Sequence, residues 1–105
     1  MNLLVKQGIN MKKLIWWLFM GSKGGINRAK ITNLIDEKPC NAHQISEELN
    51  LNYKTVKHHL RLLEENNVII CTKGVSYGAL FFISDEMEAN YKIFEKIKDN
   101  LKIGE

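Results

Sequence analysis

At 105 residues the chain has room for one small domain of several helices and a hairpin, and two independent cores are excluded. Apolar residues at 45% and charged residues at 26% are ordinary for a globular protein and exclude a disordered chain. The formal net charge of +3 does not by itself announce a nucleic-acid partner, but its distribution is uneven: residues 1–74 hold the excess of bases, and residues 75–105 carry six acids against four bases.

Two cysteines, Cys40 and Cys71, lie far apart with no Cys-x-x-Cys spacing, so no disulfide framework is indicated and a reducing cytoplasm is the simpler setting. Lys12 and Lys13 precede an apolar run from Leu14 to Met20 that is too short for a membrane span of about 20 residues. It also lacks a small-residue cleavage site. A soluble, cytoplasmic protein with no membrane partner is expected.

In chain order, residues 1–10 show no period and read as a flexible N-terminal arm; Met11 is an alternative start. Residues 11–20 read as a helix that is apolar almost all round and includes Trp16 and Trp17. Adjacent helix positions diverge by about 100°, so the two indoles cannot enter one pocket and one is spare for a partner. Gly21 to Gly25 break this helix. Ile26 and Ile31 fit a hydrophobic staple around Asn27 as N-cap, and Pro39 places the end of the second helix by about Lys38.

Asn41 with Gln44 makes a capping box for a helix of about two turns, whose apolar stripe is Ala42, Ile45 and Leu49. Asn50-Leu51-Asn52 reads as a tight turn in which Asn52 caps the next helix. Two short helices joined by about three residues describe a helix-turn-helix over about 42–66. Residues 68–73 and 79–83 are β-rich runs joined by a five-residue loop, a hairpin wing over about 68–83. The predicted fold is mainly α with a β-hairpin wing: a winged helix-turn-helix domain at 11–84, with extra N- and C-terminal helices for dimerisation. The last helix, 85–103, is capped by Ser84 or Asp85 and carries an apolar stripe of Met87, Tyr91, Phe94, Ile97 and Leu101. So small a domain leaves this stripe little core of its own to cover. Together with Trp16 and Trp17 it is the expected homodimer interface.

The functional reading rests on residues 52–66. Val56, His59, Leu60 and Leu63 recur at i, i+3, i+4 and i+7, an inward stripe, and Lys54, Lys57, His58 and Arg61 repeat that spacing on another face. On the second helix of a helix-turn-helix such a face enters the DNA major groove, about 12 Å wide. Tyr53, Lys54, Lys57 and His58 are the expected base readers, beside Asn52 and Thr55; Arg61 is expected on phosphate. Asn41, His43 and Gln44 suit a backbone phosphate. Lys73, Ser76 and Tyr77 at the wing tip suit the minor groove or its phosphates.

His59, on the inward stripe, is expected to be packed, with a ring nitrogen satisfied by a backbone carbonyl. No His or Cys pair has a spacing that converges on one zinc, so neither metal nor cofactor is expected. Gly-x-Ser-x-Gly, P-loop and His-Glu-x-x-His motifs are all missing, which weighs against an enzyme. An alternative reading is a winged-helix protein-interaction module without DNA binding, favoured by the low charge and the Trp pair.

The run Thr55-Val56-Lys57-His58-His59-Leu60-Arg61-Leu62-Leu63-Glu64-Glu65-Asn66-Asn67-Val68-Ile69 resembles the recognition-helix signature of ArsR-like winged helix-turn-helix regulators. Residues 21–31 and 77–82 are similar to an archaeal branch of that family, and the resemblance covers about residues 14–84. It implies a homodimer whose first and last helices pack across a two-fold axis, each protomer reading one DNA half-site; the transcription machinery is a further expected partner. The sensor members' cysteine motif is not present here, so ligand-free regulation is implied. Some archaeal relatives activate operons, including archaellum operons.

Overall fold

The computed structural model describes residues 10–72 and 78–104. The expected N-terminal arm falls outside them except for Asn10, and so do the expected wing-tip residues Lys73, Ser76 and Tyr77.

Helix α1 (Met11–Trp16) starts on Asn10, whose side chain accepts from the Lys13 amide at 2.9 Å, and it continues as a π-helical turn over Trp17–Gly21. Leu14, Ile15, Leu18 and Phe19 are fully buried, two adjacent pairs four residues apart. Trp16 is half-buried and Trp17 is 40% exposed, the divergence expected of neighbouring indoles.

The chain then reverses into α2 (Gly25–Glu37), and here the expected start is corrected. The N-cap is Gly24, in the left-handed region at φ 82°, and Asn27 lies within the first turn. Ile26 is 54% exposed, so it staples nothing. The physical reason is close approach: a Cβ on Gly25 would stand 2.7 Å from the Phe19 carbonyl carbon, so the bare glycine lets the helix begin hard against the end of α1.

Helices α3 (Ala42–Leu49) and α4 (Tyr53–Glu65) form the helix-turn-helix with the caps expected of Asn41 and Asn52. Strands β1 (Ile69–Cys71) and β2 (Phe81–Ile83) pair antiparallel, Ile69 opposite Ile83, and the Thr72 amide donates to the Leu80 carbonyl at 2.9 Å. They are shorter than the expected runs. Phe81 also donates its amide to the Cys40 carbonyl at 2.9 Å, so the residue after Pro39 covers the other edge of β2. A single bridging residue has no alternation, and sequence periodicity cannot find it.

The C-terminal helix is corrected twice. It is two helices, α5 (Asp85–Ala89), capped by Ser84 Oγ accepting from the Met87 amide at 3.0 Å, and α6 (Tyr91–Leu101), with Asn90 breaking the helical backbone at φ −113° and ψ 15°. Its stripe is also far from idle. Met87, Phe94 and Ile97 are fully buried in their own chain, and the Phe94 ring meets Phe19 at 4.8 Å. Helix α1 is apolar on too many sides to be covered by the helix-turn-helix alone, and α6 takes up that surface. Tyr91 is half-buried and donates to Asp36 Oδ2 at 2.7 Å; burial first, and then this hydrogen bond to a carboxylate, push its phenol well above the usual range. Leu101 is half-buried. Among the described residues no helix is long and apolar enough to cross a membrane.

Because Gly25 abuts backbone, Gly25→Ala is expected to destabilise the fold by about 1–3 kcal/mol through overpacking, read from the urea midpoint. A change below about 0.5 kcal/mol, the range of neutral surface substitutions, would contradict the close approach.

Candidate nucleic-acid interface

The turn between α3 and α4 is built from local hydrogen bonds. Asn50 adopts the left-handed conformation at φ 52°, Ser46 Oγ donates to the Leu51 carbonyl at 2.6 Å, and Asn52 Oδ1 accepts from the Lys54 and Thr55 amides at 2.9 and 3.3 Å. From this start α4 buries Val56, His59, Leu60 and Leu63, the stripe read from the sequence. Burial of each aliphatic member is worth about 1.5–3 kcal/mol, enough to hold the helix with its opposite face outward.

That opposite face carries Tyr53, Lys54, Thr55, Lys57, His58 and Arg61, all exposed. Tyr53 is tied to its neighbours: His43 of α3 stacks on its ring at 4.3 Å and 15°, and Lys57 Nζ lies 5.7 Å from its centre. The two helices are therefore joined across their outer surface by an aromatic pair, and a cation extends it by one helical turn. In the capping box, Asn41 Oδ1 accepts from the Gln44 amide at 2.9 Å and Gln44 Oε1 accepts from the Asn41 amide at 2.8 Å. Asn52 likewise uses its oxygen as a cap. All three amides keep their NH2 groups as donors, which suits a phosphate oxygen.

Beneath this face lies a feature the sequence reading missed. Arg28 of α2 is 2% exposed, and its guanidinium gathers four partners. Nε donates to the Leu18 carbonyl at 2.8 Å, Nη2 to the Lys23 carbonyl at 2.9 Å and to Ser22 Oγ, and Nη1 to His59 Nδ1 at 3.2 Å. His59 is packed as expected, but its partner is this guanidinium and not a backbone carbonyl. An Arg can only donate, so Nδ1 accepts and the neutral ring carries its proton on Nε2. Burial lowers the affinity of both groups for protons; for His59 the Arg28 charge and then His58 add to it. One signal was available in the sequence: Arg28, Ile31, Thr32 and Ile35 fall at i, i+3, i+4 and i+7, which puts Arg28 on the buried stripe.

The comparisons with known proteins agree with this geometry. The model of the family "Bacterial regulatory protein, arsR family" matches residues 27–70, from the first turn of α2 into β1. No curated protein matches the sequence. Among solved structures, reduced HlyU from Vibrio cholerae superposes with a TM-score of 0.63 at 16% identity, covering 90% of this chain and 97% of its own. A homodimeric winged helix-turn-helix DNA-binding domain from Mycobacterium bovis, described as a possible ArsR-family transcriptional regulator, gives 0.67 at 11% identity, with 97% and 87% covered. FabT from Streptococcus pneumoniae, solved in complex with DNA, gives 0.61 at 16% identity, with 94% and 73% covered. The chain therefore has a winged helix-turn-helix fold, and its residues 27–70 are similar to the arsR family.

The buried His59 fixes a pH dependence. Its folded pKa is lowered below the ordinary 6.5, so the unfolded chain binds the extra proton first. Stability from this group is complete above about pH 7 and is lost as the pH falls through 6.5 toward the folded value, by at most about 1.4 kcal/mol per pH unit. Urea unfolding between about pH 7.5 and 5 should show a steeper decline for the wild type than for His59→Gln. Parallel declines would refute a neutral buried ring.

Proposed function

We propose that this ArsR-like chain is a sequence-specific, double-stranded DNA-binding transcription regulator that works as a homodimer on a pseudo-palindromic operator. The observation that carries the reading is the two-sided character of α4: four residues buried against the core, and the face bearing Lys54, Lys57, His58 and Arg61 presented outward from the second helix of a helix-turn-helix. Such a face offers donors to guanine edges from its first two turns and a charge to the phosphates further along. Asn41, His43, Gln44 and Asn52 lie at the helix starts beside it, where backbone phosphates run. Two copies would hold their recognition helices about 34–36 Å apart, one helical turn of DNA.

The homodimer has its own support. With Met87, Phe94 and Ile97 committed to the core, a surface that supports a second copy is the one bearing Trp17, Met20 and Ile26, which are 40%, 42% and 54% exposed. Ile26 and Leu101 line two adjoining cavities of about 520 and 440 Å³, so a single apolar face runs from the end of α1 across the start of α2 to the end of α6. Exposed apolar area gathered in this way marks an interaction surface. First and last helices both contribute, as the family resemblance implies.

In a fluorescence-anisotropy titration on a selected operator, Lys57→Ala should cost about 1–3 kcal/mol and relax specificity, whereas Arg61→Ala should weaken all duplexes alike and reduce the salt slope by about one. Failure of the wild type to bind any duplex at micromolar protein and low salt would reject the function. Light scattering tests the dimer separately: twice the 12.2 kDa chain mass is expected for the wild type and a monomer for Met20→Glu with Ile26→Glu. A monomeric wild type at assay concentration would reject this interface.

A further inference from the structure

Between the α1–α2 turn and the recognition helix runs a groove of about 510 Å³, lined by Lys23, Arg28, Lys54, Thr55, His58 and His59 around Gly24. Three of these carry fixed positive charge, three more offer a hydroxyl or ring nitrogens, and no carboxylate is among them. Arg28 sharpens the imbalance, because its guanidinium is 2% exposed and all four of its partners are uncharged: two carbonyls, a hydroxyl and a neutral imidazole. Buried charges are ordinarily paired, since an uncompensated one costs several kcal/mol. Among the described residues no carboxylate supplies a countercharge to Arg28, so an anion entering the groove would provide it.

The groove is shaped for such an arrival. His59 turns Nδ1 to Arg28, leaving its Nε2–H as a donor on the Gly24 side, and a Cβ on Gly24 would stand 2.7 Å from His59 Cε1 and 3.2 Å from Arg28 Nη1. Glycine at this position keeps the floor open while its φ of 82° folds the turn around Arg28. Lys23 from the turn and Lys54 from the first turn of α4 also line the groove, and so does Thr55.

We propose that this groove is a binding site for a phosphate-type oxyanion, which completes the charge of the Arg28–His59 pair. The chemistry is shared by two sources, a backbone phosphate of the duplex lying along α4 and a free inorganic or small-molecule phosphate. The first source rests on the function proposed above; the second does not.

The test uses the full chain. Inorganic phosphate is titrated at constant ionic strength against chloride while the His58 and His59 ring signals are followed by NMR. Saturable movement of both is expected, and Lys23→Gln, a substitution on an exposed turn residue, should weaken it about tenfold. Lys23→Gln is then compared with the wild type on duplex DNA over a range of salt. A salt slope shallower by about 0.9, alike on all sequences, identifies a DNA phosphate as the occupant. Weakened phosphate binding with unchanged duplex binding identifies a free oxyanion, and both results uphold the site. No saturable shift beyond the chloride control, together with a salt slope insensitive to Lys23, would overturn it. A wild type that ignores every duplex but binds phosphate rejects the DNA reading and leaves the groove standing.

Discussion

The buried guanidinium of Arg28 is the interaction on which the geometry of this molecule turns. A cation held away from water must be surrounded by acceptors, and the acceptors come from three separate pieces of chain: the Leu18 carbonyl in the π-helical end of α1, Ser22 and the Lys23 carbonyl in the turn, and His59 on the recognition helix. The Leu18 carbonyl is available because it lies in the last turn of the helix, where carbonyls have no intrahelical partner; Ser22 Oγ reaches it as well, at 3.4 Å. An irregular helix end, a glycine turn and a polar residue on a buried stripe each look like a defect alone. Together they satisfy the hydrogen-bond donors of one guanidinium.

On the outer side of α4 the ordering is of another kind. Asn41, Gln44 and Asn52 spend their side-chain oxygens on helix caps, and Tyr53 is held between His43 and Lys57. Side chains already fixed by such contacts lose less rotamer entropy when a ligand arrives, so more of each contact's free energy appears as affinity. The presented face is thus partly preorganised by the same local bonds that fold the helix-turn-helix.

The helix-turn-helix was legible in the sequence because its signals are local: the Asn41/Gln44 box, the Asn52 cap and the i, i+3, i+4, i+7 stripe all act within two turns of chain. What escaped depends on tertiary packing. Gly24 caps α2 in place of Asn27 because Gly25 must clear the Phe19 carbonyl, a contact between residues on different helices. Cys40 joins β2 through a single bridge. The stripe from Met87 to Leu101 is apolar, yet periodicity cannot say which of its members meet their own domain; Met87, Phe94 and Ile97 do, the Phe94 ring meeting Phe19. Arg28 was visible on the buried stripe of α2, but a charged residue at a core position is ordinarily read as a surface residue on a frayed stripe. Only its neutral partners across three elements reveal why it is inside.

The turn at residues 22–25 has the cationic groove on one side and the apolar face on the other, and Gly24 borders both. Arg28 binds this turn through Ser22 and Lys23 and α4 through His59, so one side chain ties the recognition helix to the apolar face alongside the shared core. In a two-fold assembly built on that face, the angle between helix and face determines how far apart and at what tilt the two recognition helices stand. Half-site spacing on B-DNA tolerates little error, because one base pair of displacement rotates the groove by about a tenth of a turn. A rigid link from dimer face to reading face is therefore what a pseudo-palindrome demands.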